Sequence, residues 1–169
     1  MGVAAWAIEL YVMDWINALP GVRPLWNWVK SRMHLNREHD VAIFKKLDAI
    51  ADESRVDEIL NRSIYTSHFH FEEHDVLRQF INALQRIENQ YLESVIRLKA
   101  EQLAWEMGEL LSFVGQTFWS VPAGHLTFHP DPIDPDVYDA ERKQLNEKLE
   151  KAWDAYKTYR KVVNERLMV

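Results

Sequence analysis

Residues 61–92 read NRSIYTSHFHFEEHDVLRQFINALQRIENQYL, and this stretch changes character near its middle. Its first part places three of the chain's seven histidines beside glutamates: His68, His70, Glu72, Glu73 and His74. From Val76 onward, apolar residues recur every three or four positions, which is the spacing of one face of an α-helix. The sequence therefore predicts a helix that begins near Ser67 or His70, ends near Tyr91 and has a histidine-rich start.

A second helical pattern follows almost at once, over residues 94–118. One unbroken helix over residues 70–118 would span roughly 70 Å, which is too long for a compact domain of this size. Because the connection between the two patterns is short, it predicts an antiparallel helix hairpin. We expect this central hairpin to organise the rest of the fold.

The other segments also have helical spacing, and they predict one all-α domain over residues 1–169, a bundle of six or seven helices. N-terminal amphipathic helices would occupy residues 1–33, and core helices residues 36–118. A separate helix is expected over residues 25–33, before one over residues 36–53. Residues 119–135 hold four of the six prolines and predict an irregular loop. Asp134 and Pro135 have the pattern of an N-cap and a first helical residue, so a long C-terminal helix should cover residues 136–167.

Composition excludes several classes of protein. The 169 residues carry a net charge of -6, which argues against nucleic-acid binding by the whole surface, although residues 23–46 are locally basic. Without cysteine there is no disulfide framework and no thiolate metal site, which suits the cytoplasm. The first basic residue, Arg23, comes too late for a signal peptide. The apolar run over residues 3–19 contains Glu9 and Asp14, so no transmembrane segment is expected.

The sequence lacks GxSxG, a phosphate-cradling glycine loop and a Rossmann fingerprint. The leading hypothesis is therefore a non-enzymatic interaction protein without a cofactor, of inhibitor, immunity or accessory type, whose acidic surface faces a basic macromolecular partner. A second apolar stripe on the first helix and the long last helix each offer an interface, for a protein partner or for a homodimer. The predicted partner-binding residues are Trp6, Leu10, Met13, Trp26, Glu53, Asp57 and Glu58.

One alternative is a metal-dependent hydrolase at the His68, His70 and His74 cluster. On a helix, His70 and His74 lie one turn apart, and two such imidazoles form a half-site for zinc or iron. A third ligand would have to come from elsewhere, and Glu73, His39 or a loop histidine could supply it. The HExxH and Glu-x-x-His signatures are absent.

A second alternative is a ribonuclease of the helical HEPN type. The mark of that class is an Arg followed by a His after four to six residues, and this spacing occurs at Arg62 and His68 and at Arg32 and His39. About one such pair is expected by chance in this composition. The pair of Arg62 and His68 therefore supplies catalytic candidates without indicating membership of the family.

Overall fold

A computed structural model describes residues 22–121, 124–129 and 134–169, with the backbone alone for residues 22–30, 32 and 33. The described residues form five α-helices: α1 (Val22–Asp48), α2 (Glu53–Thr66), α3 (Phe71–Gln85), α4 (Ser94–Thr117) and α5 (Pro135–Leu167). They also form three short strands: β1 (His68–His70), β2 (Phe118–Val121) and β3 (His125–Phe128). The protein is thus mostly helical with one small sheet.

The chain divides into two compact units, residues 1–38 and residues 39–169. The described part of the first unit is the beginning of α1, where His34 Nδ1 lies 3.4 Å from the Glu38 carboxylate. All other described elements belong to the second unit. That residues 1–169 form a single domain stays a prediction. None of the helices in the described ranges is both long and apolar enough to cross a membrane.

The core of the second unit lies between α4 and α5, which make the most extensive contact of any two described elements. Both helices bury residues at intervals of three and four, as the sequence periodicity predicted. The residues with no exposed surface include Ile96, Leu103, Met107, Leu110 and Val114 on α4, and Leu145, Leu149, Ala152 and Val163 on α5. Helix α3 packs against α4, and α2 packs against α5.

The prediction of a central hairpin is not supported, because α4 has its main contact with α5 rather than with α3. Nor is the predicted count of six or seven helices reached within the described residues. The first part of the region predicted to hold N-terminal helices, residues 1–21, lies outside them. The helices predicted over residues 25–33 and 36–53 are one helix, α1, because residues 34–35 contain neither Pro nor Gly to interrupt it.

Helix α3 also ends earlier than predicted, at Gln85, and a short 3-10 turn follows over Ile87–Asn89. The buried Asn89 side chain explains this end. Its amide donates a 2.7 Å hydrogen bond to the carbonyl of Ala83, and its Oδ1 accepts one of 2.8 Å from Lys46 Nζ. The carbonyl of Ala83, in the last turn of α3, therefore has a hydrogen-bond partner although the helix does not continue.

The all-α prediction is supported in outline, and the small sheet is an addition to it. The strands of the sheet are antiparallel in the order β1-β3-β2, so β3 lies in the middle. Ser67 ends α2 in the left-handed conformation, with a φ of 52°, and the chain then extends into β1. Residues predicted to start a helix or to lie in an irregular loop are strands instead. Strands of three and four residues are too short for the alternation of buried and exposed side chains to be recognised in the sequence.

The long C-terminal helix is confirmed. Asp134 is the N-cap of α5, its carboxylate accepts a 2.9 Å hydrogen bond from the amide of Asp136, and Pro135 is the first helical residue. Buried residues of α5 begin at Leu145 and continue to Leu167. The first turns of α5 therefore extend beyond its buried face.

Candidate functional site

The sheet separates a polar face from an apolar one, because side chains alternate along each strand. Phe69, Phe118 and Phe128 on the apolar face are at least 93% buried, with Leu126 beside them. The other side, termed the histidine face, carries residues from all three strands: His68, His70, Trp119, Val121, His125 and Thr127. His68 and His70 are exposed, whereas His125 is half-buried.

Aromatic packing beneath the sheet holds the histidine face in place. The ring of Phe118 lies 5.6 Å from that of Phe69 and 5.4 Å from that of Phe128, measured between ring centroids. Phe69 has no exposed surface, although its neighbours on both sides are exposed histidines. The burial of one side chain thus orients the two beside it toward solvent.

Strand pairing brings a third histidine to the two of β1. His125 of β3 is directly opposite His70, and Thr127 is opposite His68. The ring centroid of His125 lies 5.2 Å from that of His68 and 6.2 Å from that of His70. Three imidazoles from two strands therefore meet on one solvent-facing surface.

The electrostatic surroundings favour a neutral imidazole at His68. Partial loss of water around its exposed ring is the largest cause that lowers its pKa, and nearby His125, His70 and Arg62 lower it further. A neutral imidazole has one nitrogen that donates and one that accepts a hydrogen bond or binds a metal. At neutral pH the histidine face can therefore supply both kinds of nitrogen.

The predicted metal ligands Glu73 and His74 have other partners. The Glu73 carboxylate accepts a 2.9 Å hydrogen bond from the backbone amide of His70, which stabilises the start of α3, and it forms an ion pair with Arg62. Nδ1 of His74 lies 3.9 Å from the Asp75 carboxylate. As the side chains stand, no three His, Asp or Glu residues of the described chain are arranged to hold a metal ion. A site formed by His70, Glu73 and His74 stays a prediction.

The catalytic candidates Arg62 and His68 lie near each other. Arg62 is on α2, His68 starts β1, and the guanidinium is close enough to lower the pKa of the imidazole. Arg62 is also the ion-pair partner of Glu73. The structure thus places the pair at the boundary between a helix and a strand, with the cation already bound to a carboxylate.

The predicted partner-binding residues fall into two groups. Trp6, Leu10 and Met13 lie outside the described residues, and only the backbone of Trp26 is described, within α1. The acidic residues are all on α2. The Glu53 carboxylate accepts a 2.9 Å hydrogen bond from Arg160, the Asp57 carboxylate accepts one of 2.9 Å from Asn61, and Glu58 is exposed.

Sequence reasoning missed an apolar surface on α4, termed the α4 stripe: Val95, Leu98 and Trp105. Their exposed fractions are 37%, 60% and 68%. Leu98 and Trp105 are seven residues apart, so they lie on one helix face, with exposed Gln102 between them. The spacing was readable in the sequence, but α4 already had a complete apolar face for the core. His125, in contrast, had no local signal, because its partners are more than fifty residues away in the chain.

A cavity of about 220 Å³ opens beside the α4 stripe, between the end of α3, the 3-10 turn and α4. Ile87, which is 91% exposed, lies at this cavity together with Arg97, Glu101 and Ala104. The surface around the stripe therefore combines exposed apolar side chains with a concave region.

Comparisons with known proteins place the chain in no established group. It matches no protein-family model, no curated protein and no solved structure. Any function must therefore be argued from its own residues.

Proposed function

We propose that this protein is a non-enzymatic interaction module that binds another protein through the α4 stripe. The observation that carries the proposal is the exposure of Leu98 and Trp105, at 60% and 68%, on one face of a helix whose opposite face is fully buried. Exposed large apolar side chains that cluster on one surface mark interaction sites, and Trp is enriched among residues that dominate binding energy.

The acidic residues beside Trp105 favour a partner that has an apolar centre and basic groups facing the Trp105 end of the stripe. Glu101 and Glu109 lie one turn before and one turn after Trp105, and both are exposed. Glu109 already pairs with Lys148 at 3.1 Å. Glu101 should therefore attract a basic group next to the stripe more strongly than Glu109 does. The net charge of -6 also attracts a basic partner, over a longer range. An amphipathic helix with basic residues beside its apolar face would fit this chemistry.

Burial of the stripe supplies a meaningful driving force. A fully buried Leu contributes about 1.5–3 kcal/mol relative to an exposed one, and Trp buries an even larger area. Since the backbone of α4 is fixed by its core residues, little backbone ordering would oppose binding. The acidic residues predicted to face the partner, Glu53, Asp57 and Glu58, belong to α2 and would act through the charge of the surface rather than through this contact.

Site-specific photo-cross-linking tests the proposal. A photo-reactive amino acid replaces Gln102, between the two anchors, and a matched variant carries it at the exposed Lys151 on α5. We expect position 102 to capture one defined protein in the native cell extract, with capture reduced at higher salt because surface charges are screened. The Leu98→Ser, Trp105→Ser double variant should lose that product.

A Trp119→Ser variant is the matched control, because Trp119 is 60% exposed but lies on the sheet. It should keep the cross-linked product. Products that contain only a second copy of this chain would replace the separate partner with a homodimer. Equal, unselective capture at positions 102 and 151 would refute the α4 stripe as an interface.

A hydrolase is the second candidate, and the nearness of His68 to Arg62 favours it. A guanidinium that holds a phosphate beside an imidazole that moves a proton is a chemically sensible pair. Cleavage of single-stranded RNA by the wild type, lost in Arg62→Gln and His68→Gln variants of unchanged circular dichroism, would support it. A wild type without cleavage would remove the ribonuclease version.

A further inference from the structure

We propose that His68, His70 and His125 form a binding site for one transition-metal ion of the Zn²⁺ class. This inference is independent of the α4 stripe, since it concerns the histidine face of the sheet. It also differs from the helical His70 and His74 pair, because two of its three ligands are on β1 and the third comes from β3 across the strand pairing.

The backbone provides the convergence that such a site requires. His68 and His70 are two residues apart on a strand, so both side chains lie on the same face. His125 is directly opposite His70, and paired residues in an antiparallel sheet have Cβ atoms about 4.5–5.5 Å apart. Phe69 and Phe128, which lie on the opposite face of the same two strands, are buried and fix the strands from below.

One of the two ring separations matches that of imidazoles that share an ion. A zinc-nitrogen bond of about 2.0–2.1 Å places each ring centre roughly 3 Å from the metal, so two rings at a tetrahedral angle have centres about 5 Å apart. His68 and His125 are separated by 5.2 Å, and His70 and His125 by 6.2 Å. The second pair must approach by about 1 Å.

The rings do not yet surround a common point, as the absence of a ready three-ligand site in the described residues shows. The required change is a rotation of side chains rather than a movement of strands. His68 and His70 are exposed, so solvent rather than packed protein surrounds much of each ring. Such side chains change rotamer on the picosecond to nanosecond timescale, and metal binding would select one arrangement.

The ligand set determines which ions fit. Three imidazoles without thiolate or carboxylate suit Zn²⁺, Ni²⁺ or Cu²⁺ and disfavour Mg²⁺ and Ca²⁺, which prefer oxygen. Three protein ligands on a solvent-facing surface leave a fourth position for water. The site would therefore hold an ion with an open coordination position.

Calorimetric titration of the tag-free protein with ZnCl₂ tests the proposal, with elemental analysis after dialysis. We expect one ion per chain. His125→Gln and His68→Gln should each weaken binding by more than about 100-fold, since even changes to residues that only support a ligand cost 10–100-fold. His74→Gln is the matched control and should bind as the wild type does. Circular dichroism checks that each variant is folded.

Co²⁺ provides a second measurement that locates the ion. A three-histidine site should give the visible absorption of tetrahedral Co²⁺. The bound ion should also quench the fluorescence of Trp119, which lies on the histidine face. The quenching should be lost in Trp119→Phe while the absorption remains. A wild type that binds no Zn²⁺ overturns the proposal. Loss of binding in His74→Gln, with binding intact in His125→Gln, would also overturn it and would place the ion on α3.

Discussion

Replacement of Arg160 by Met should destabilise the protein, because this one side chain connects α5 to the corner between α1 and α2. Its guanidinium donates hydrogen bonds to Asp48, the last residue of α1, and to Glu53, the first residue of α2. It also lies over the ring of Phe44, 4.8 Å from the centroid. Met keeps much of the apolar stem but removes the charge and its donors.

The expected loss can be estimated from these contacts. A hydrogen bond to a charged group contributes about 1.5–3 kcal/mol. Asp48 and Glu53 are 36% and 61% exposed, so solvent screening reduces each contribution to about 1 kcal/mol. The contact with Phe44 adds about 0.5–1 kcal/mol. The sum is about 2.5–3 kcal/mol, which corresponds to a fall of about 1 M in the urea midpoint of unfolding.

Urea unfolding followed by circular dichroism is the assay, with two companion variants. Arg160→Lys should lose about half as much, because an ammonium cannot reach both carboxylates with the geometry of a guanidinium. Lys161→Met is the matched control, since that side chain is 75% exposed, and it should stay within about 0.5 kcal/mol of the wild type. If Arg160→Met costs no more than this control, the corner does not depend on the guanidinium and the reasoning is wrong.

Three further predictions concern the sheet, the core and pH. Phe69→Ala should lower the free energy of unfolding by about 3–5 kcal/mol because it leaves a cavity at a fully buried site, while Phe69→Leu should lower it much less. Equal urea midpoints for the two variants would contradict this. Tyr159→Phe should cost about 1–3 kcal/mol, because it leaves the buried Tyr91 hydroxyl without its 2.6 Å partner, and a double-mutant cycle with Tyr91→Phe should reveal coupling rather than additivity. Burial and nearby Arg78 lower the pKa of His74 from 6.5, against the opposing effect of Asp75. The folded state therefore binds fewer protons there, so stability should fall as pH drops below about 6.5, and His74→Gln should make the urea midpoint less dependent on pH.

Local sequence signals account for much of the helical structure. The periodicity of α4 and α5 predicted helices that bury residues at intervals of three and four, and Asp134 with Pro135 located the start of α5, because a cap depends on neighbours in the chain. The end of α3 had no such signal. It depends on Asn89, which turns back to Ala83, and on Lys46 from α1, a residue more than forty positions away.

The two candidate sites also differ in how far local sequence signals could predict them. The α4 stripe could have been read from the spacing of Leu98 and Trp105, although burial alone decides which face of α4 remains exposed. The sequence pointed to the residues around His70 but assigned them to a helix. On a helix the histidine nearest to the His70 side chain would be His74, one turn further on.

The amino-acid sequence by itself therefore determined that this protein is mostly helical and where several of its helices lie, because helical periodicity and capping act over a few residues. Only the tertiary structure decided that His68 and His70 lie on a strand and that His125 joins them. Pairing between β1 and β3 depends on backbone hydrogen bonds and on the shared burial of Phe69 and Phe128, and neither leaves a local pattern in so short a strand.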